Sequence, residues 1–181
     1  IINNNLILTK LYTMKKLFIL IFAVTFTACN SPAPAEQEGA GFFTQQEGEK
    51  FIVASDEITN IWVKYIDAHN NRDMETIMAM NSDSISIVEP DGSRIIGKEM
   101  HKQRLDDWFA AEDPKWEIYW AMPYVGVNSG ATWIIAGHNV TLNVEGDEVK
   151  VNSMIDGEIV DGKVSRFFVY NMAVPVDTDS E

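Results

Sequence analysis

The 181-residue sequence has one cysteine, three histidines and no apolar run long enough to cross a membrane as a helix. The single thiol, Cys29, excludes an intramolecular disulfide and a cysteine metal cluster, so stability has to come from a hydrophobic core. The histidines, His69, His101 and His138, lack the close spacing of metal-ligand motifs. A glycine-rich phosphate loop and a Gly-x-Ser-x-Gly motif are also absent. The sequence therefore predicts neither a metal nor a cofactor.

Basic residues are scarce, because 14 Lys and Arg stand against 27 Asp and Glu. Lys10, Lys15 and Lys16 precede Cys29 and every acidic residue follows it, which leaves 11 basic against 27 acidic residues and a net charge of −16 beyond that point. Such a surface repels nucleic-acid phosphates and anionic lipids. We therefore expect no nucleic-acid partner, and membrane contact only through N-terminal acyl chains.

The amino-terminal region has the pattern of an export signal. Lys15 and Lys16 precede a mainly apolar run over residues 17–26, which is half of the roughly 20 residues that a spanning helix needs. The segment Phe-Thr-Ala-Cys that ends at Cys29 resembles the lipobox of bacterial lipoproteins. The sequence therefore predicts a signal peptide over residues 14–28 and lipidation of Cys29, with the protein anchored in the bacterial cell envelope at the outer membrane. An ordinary signal peptide with an unmodified thiol is the alternative.

The rest of the chain divides by composition. Residues 1–13 precede Met14 and are interpreted as a non-native upstream extension. Residues 29–50 are rich in Pro, Gly, Ala and Glu, which predicts a flexible tether. Residues 51–175 form one domain of a size that supports a single core, and residues 176–181 form an acidic tail.

Hydrophobic periodicity predicts an α+β domain. Apolar residues at helical spacing predict a helix over residues 56–70 with Ser55 as its N-cap, and a second helix follows the cap residue Asp73. A strand over residues 84–89, a turn and a short strand over 94–96 lead to a third helix over 98–111. Five strands are predicted next, over residues 116–122, 125–127, 132–144, 148–160 and 163–173, as an antiparallel meander.

Three sequence blocks carry a family resemblance: WVKYIDAHNNRD at 62–73, IVEPDG at 87–92 and VDGKV at 160–164. They are similar to the SnoaL-like group of the nuclear transport factor 2-like superfamily. The resemblance implies a cone-shaped fold, in which the N-terminal helices pack in a curved antiparallel sheet around a cavity. The group includes ketosteroid isomerases, polyketide cyclases, dehydratases and binding proteins, so the fold alone leaves the function open.

The resemblance to ketosteroid isomerases implies candidate catalytic residues. Tyr65 matches the position of an oxyanion-donor tyrosine, Glu89 that of a proton-shuttling carboxylate, and Asp156 that of a second oxyanion donor. A carboxylate among apolar walls suits proton removal beside a carbonyl group, and a hydroxyl or neutral acid suits the developing oxyanion. Glu89 also alternates with Ile85 and Ile87 along the predicted strand, which places the three on one face.

Four residues are candidates for the pocket lining: Trp62 on the first helix, and Trp120, Trp133 and His138 on central strands. We expect His69 to end its helix with no required function, and His101 to lie on an exposed helix face. The leading hypothesis is an exported, lipid-anchored domain whose cone pocket binds a small, largely apolar molecule. The alternatives are an isomerase, cyclase or dehydratase that uses the residues above, and a homodimeric protein-interaction module without a ligand.

Overall fold

The structure, a computed structural model, describes residues 38–174. The predicted signal segment 14–28, Cys29 and the tail 176–181 lie outside the described residues. The helices are α1 (Asp56–Asn70), α2 (Met74–Met80) and α3 (Lys98–Glu112), and the strands are β1 (Phe51–Val53), β2 (Asn81–Val88), β3 (Arg94–Ile96), β4 (Lys115–Gly126), β5 (Thr132–Val144), β6 (Asp147–Val160) and β7 (Lys163–Ala173). The mixed α+β class and the curved sheet with its helices are as predicted.

Helix α1 forms where its caps and its apolar stripe predict. The Ser55 side chain accepts a hydrogen bond from the amide of Glu57, which satisfies one of the free N–H groups of the first turn. The buried face carries Trp62, Tyr65 and Ile66 at helical spacing and ends at His69. The helix therefore presents one continuous stripe to the sheet.

The seven strands form one sheet in the order β1-β4-β5-β6-β7-β2-β3. Strands β4 to β7 pair as an antiparallel meander, whereas β2 pairs with β7 in parallel. Side chains alternate along each strand, so even-numbered residues of β5 and odd-numbered residues of β6 point toward the helices. Ile134, Ala136, Ile155 and Ile159 are buried on this inner face and form the core with the helices.

Two details differ from the sequence prediction. The strands predicted over 116–122 and 125–127 are one strand, β4, because Pro123 keeps its place in the ladder opposite Ile134 and its carbonyl accepts from the Ala54 amide. Proline removes a donor but leaves this acceptor. Ordered contacts also begin before residue 51, since Ala40 and Phe51 exchange two backbone hydrogen bonds.

The segment before β1 is held by a buried carboxylate. Glu49 is only 2% exposed, and its two oxygens accept from the backbone amides of Lys50, Asn128 and Ser129. These hydrogen bonds lower the pKa of the Glu49 carboxyl. They attach residue 49 to the turn between β4 and β5, within the range 29–50 that was predicted as a tether.

Candidate functional site

A cavity of about 270 Å³ lies between the helices and the inner face of the sheet. Its lining is mainly aromatic and aliphatic, with Trp62, Tyr65, Leu105, Trp108, Trp116 and Phe167 as the large contributors. The volume is slightly below the roughly 300–1,000 Å³ of typical small-molecule sites. The space therefore suits a compact ligand that buries apolar surface.

One wall of the cavity is polar: Tyr65 and His101 line it, and Asn81 lies behind them, so that the three connect α1, β2 and α3. The Tyr65 hydroxyl donates to Asn81 Oδ1 at 2.7 Å, and Asn81 Nδ2 lies 2.9 Å from His101 Nδ1. All three side chains are buried, and Asn81 is fully enclosed. Burial raises the pKa of the Tyr65 hydroxyl. Tyr65 therefore acts as a neutral donor to Asn81.

His69 and His101 both line the cavity from this wall. His69 Nδ1 lies 2.7 Å from the backbone carbonyl of Tyr65, and the rings of His69 and Tyr65 pack edge to face at 4.4 Å. Burial lowers the pKa of His69 to about 4, with a smaller lowering by Arg72, and burial lowers that of His101 to about 3. Both imidazoles are therefore neutral at pH 7.

The cavity opens beside a pair of opposite charges. Glu89 lies just after β2, and its Oε1 accepts from Arg104 Nε of α3 at 2.9 Å. Its other oxygen accepts from the Ser93 hydroxyl at 3.0 Å. Both oxygens are thus occupied, and the Glu89 and Arg104 side chains keep 23% and 43% of their surfaces exposed. Glu89 is an ion-paired carboxylate at the mouth.

The sequence comparison identifies the fold family. A family model described as SnoaL-like domain matches residues 58–155, which is more than half of the chain. The chain belongs to this family. No curated protein matches the chain.

Several solved structures share the fold of this SnoaL-like domain. A candidate ketosteroid isomerase from Kribbella flavida is 20% identical with a TM-score of 0.57, over 68% of this chain and 84% of that one. An epoxide hydrolase of Mycobacterium tuberculosis is 18% identical with a TM-score of 0.56, over 65% and 84%. Another M. tuberculosis protein, in complex with estradiol-17β-hemisuccinate, is 18% identical with a TM-score of 0.53, over 63% and 92%. At these identities the likeness establishes the fold alone.

The structure does not bring the three candidate catalytic residues together. Tyr65 and Glu89 both line the cavity, at the polar wall and at the mouth. Asp156 alternates with the cavity residue Ile155 along β6 and therefore lies on the outer face. There it accepts from the Tyr124 hydroxyl at 2.7 Å, and burial raises the pKa of the Asp156 carboxyl. The predicted role of Asp156 at the pocket is wrong for this reason.

Of the predicted pocket residues, Trp62 lies in the lining and the other three do not. Trp120 and Trp133 point from their strands to the outer face, where Trp120 is 38% exposed and Trp133 stacks on Tyr124. His138 points inward but lies behind Trp62, whose Nε1 donates to His138 Nε2 at 3.1 Å. A regular register would have kept Trp120 on the face of Trp116, and the bulge between Ile118 and Trp120 turns it outward.

Sequence reasoning missed the two histidines and the asparagine of the polar wall. The predicted exposed position of His101 is wrong, since it is 2% exposed. It shares the buried face of α3 with Leu105, four residues later. This spacing is the signal that could have located it, because residues at i and i+4 lie on one helix face. His69 likewise follows Tyr65 by four residues.

Proposed function

We propose that this protein binds a small, largely apolar molecule in the cavity of its SnoaL-like domain, and that acylated Cys29 anchors it in a bacterial envelope. The observation that carries the binding function is the cavity between the helices and the sheet, with its mainly aromatic and aliphatic lining. Protein interiors leave few voids larger than a water molecule. A cavity of about 270 Å³ is therefore an exception to close packing and a candidate ligand site.

The chemistry of the lining supports a ligand with an apolar body and one polar end. Trp62, Trp108 and Trp116 present large ring surfaces to the space, and the polar wall adds a small number of polar groups. Pockets of this composition gain affinity from buried ring surface and orient the ligand with a few polar groups. The net negative charge of the chain favours a neutral ligand over an anion. A neutral ligand with a fused-ring apolar body fits these features.

The binding function is tested by titrating the full chain with naphthalene and with estradiol. The tryptophan fluorescence should change with saturation, because three tryptophans line the cavity. Saturation by at least one of the two probes is the expected result. Titrations without any saturable change, followed independently by calorimetry, would refute the proposal.

A cavity-filling variant supplies the control. Val151 lines the cavity from β6, whereas Val160 lies on the same strand outside the lining and is 45% exposed. Val151→Trp should abolish binding, because the indole would occupy the ligand space. Val160→Trp adds the same side chain elsewhere and should bind as the parent does. Equal binding by both variants would place the ligand outside this cavity.

The anchor is supported by the sequence pattern around Cys29 and has its own test. Expression in a bacterial host with labelled palmitate should label the parent protein and fractionate it with membranes. Cys29→Ser should remove both the label and the membrane association. A labelled Cys29→Ser variant, or an unlabelled parent, would contradict the anchor and leave the binding function untouched.

A further inference from the structure

The two histidines of the polar wall present different groups to the cavity. Both rings line the space, and only 5% of His69 and 2% of His101 are exposed. The ring centroids are 6.1 Å apart, and the planes are inclined by 35°. What each ring offers depends on which nitrogen carries the proton, and the hydrogen-bond partners determine this.

His69 offers a lone pair. Its Nδ1 contacts the Tyr65 carbonyl, and a carbonyl oxygen can only accept, so Nδ1 carries the proton. In a neutral imidazole the other nitrogen is then an acceptor. His69 Nε2 is therefore an acceptor.

His101 offers a proton. The Tyr65 hydroxyl has Asn81 as its one side-chain partner among the described residues, so its proton goes to Asn81 Oδ1 and the amide nitrogen faces the ring. The opposite amide orientation would leave a buried hydroxyl proton without an acceptor, which is costly. Asn81 Nδ2 thus donates to His101 Nδ1. In the neutral ring the proton of His101 is therefore on Nε2.

Both Nε2 atoms are available to a ligand. Within residues 38–174 neither has a hydrogen-bond partner. The only fully enclosed side-chain polar atom without a partner in that part of the chain is Ser82 Oγ. Because neither Nε2 has a partner and neither is fully enclosed, both atoms contact open space. That space is the cavity, since both rings line it. Each Nε2 can therefore pair with a polar group of a molecule that occupies the cavity.

We propose that His69 and His101 together bind a neutral polar group that carries a hydrogen-bond donor beside an acceptor, as a lactam or a cis-amide does. The donor would pair with His69 Nε2 and the acceptor with the Nε2–H of His101. In a lactam the nitrogen and oxygen are about 2.3 Å apart, which is compatible with one partner on each of two rings whose centroids are 6.1 Å apart. A carboxylate fits poorly, because one of its oxygens would face the lone pair of His69. This inference rests on the proposed binding function and specifies its ligand class.

Three probes of similar size test the inference on the full chain by calorimetry. 2-Quinolone carries the lactam donor and acceptor, 1-methyl-2-quinolone keeps only the acceptor, and naphthalene has neither. We expect 2-quinolone to bind on the order of tenfold more tightly than either of the others, since each loses at least one buried hydrogen bond. Equal affinities for the three would overturn the inference while the binding function stands. Failure of 2-quinolone to bind would also overturn the inference, whereas the binding function is decided separately by the naphthalene and estradiol titrations.

Variants separate the two histidines from the rest of the cavity. His69→Phe and His101→Phe keep a ring of similar shape and should reduce the preference for 2-quinolone to less than about threefold, with naphthalene binding retained. His138→Gln is the matched control. Both ring nitrogens of His138 are already paired inside the protein, with Trp62 and with the Ser153 carbonyl, so the preference should persist. Retention of the preference in both phenylalanine variants would overturn the assignment.

A measurement on the unmodified protein covers the case in which a variant fails to fold. Nitrogen-15 NMR of the imidazoles distinguishes protonated from unprotonated ring nitrogens. We expect protonated Nδ1 in His69 and protonated Nε2 in His101 at pH 7. The same tautomer in both rings would overturn the inference, because the wall would then offer two donors or two acceptors.

Discussion

Acidification from pH 7 toward pH 4 should lower the free energy of unfolding of this protein strongly, because three buried histidines are neutral in the folded state. Burial lowers the pKa of His69 and His138 to about 4 and that of His101 to about 3, from an ordinary value of 6.5. Between these values the unfolded chain binds protons that the folded chain does not. Stability is therefore full above pH 6.5 and is lost as the pH falls toward 4.

The pKa values set the size of the loss. Between pH 7 and pH 5 each histidine removes about 2 kcal/mol from the free energy of unfolding, and the three together remove roughly 5–6 kcal/mol. Asp156 acts in the opposite direction, because burial raises its pKa and its folded form takes up a proton first. A domain of this size is stable by about 5–15 kcal/mol, so the loss is a large part of the total.

Urea unfolding at half-unit pH intervals measures this dependence directly. The midpoint should fall steeply from pH 6.5 to about pH 4, and the histidine contribution should level off only below pH 3, once all three rings are protonated in the folded state as well. His138→Gln keeps an acceptor for Trp62 Nε1 and removes one titrating group, so the pH-dependent loss should shrink by about 2 kcal/mol. An unfolding free energy that changes by less than about 1 kcal/mol between pH 7 and 5 would refute the assignment of three buried neutral rings.

Three substitutions test the packing around the cavity. Tyr65→Phe leaves the buried Asn81 Oδ1 without its donor, so the free energy of unfolding measured with urea should fall by about 1–3 kcal/mol. An unchanged free energy of unfolding would mean that water replaces the hydroxyl. Gly157→Ala places a Cβ 3.1 Å from Trp62 Cζ3 and should cost about 1–3 kcal/mol, and an unchanged midpoint would show that the indole can move. Glu89→Gln removes a partly exposed ion pair, so the free energy of unfolding should fall by no more than about 1 kcal/mol. The affinity for naphthalene should stay unchanged, and a large loss of affinity would place this carboxylate at the ligand.

Local patterns predicted the secondary structure well because local physics determines it. The bounds of α1 are as predicted, since Ser55 caps the helix and one stripe of apolar residues faces the sheet. Strands β5, β6 and β7 are joined at the two gaps between the predicted strands, where Gly146 and Gly162 both have positive φ. The parallel pairing of β2 with β7 was missed, because its partners are about 80 residues apart and no local signal specifies them.

The candidate site was predicted less well, since it depends on which face each strand presents. Period-2 alternation predicts that two faces exist but does not say which one is inner when both carry aromatic residues. Strand β4 illustrates this, because Trp116 lines the cavity, and after the bulge Trp120 lies on the outer face. Asp156 was placed through family resemblance, and its neighbour Ile155 has the inward position.

The histidines show why hydrophobic periodicity alone conceals a polar site. His69 and His101 occupy positions of buried helix stripes, but a scale that counts histidine as polar makes those stripes look interrupted. A neutral imidazole can be buried when one nitrogen is paired inside the protein, and here the Tyr65 carbonyl and the Asn81 amide supply those partners. The pairing fixes the tautomer, and the tautomer decides what the second nitrogen offers to the cavity. The chemistry of the site therefore follows from residues of α1, β2 and α3 acting together, which no single segment of sequence contains.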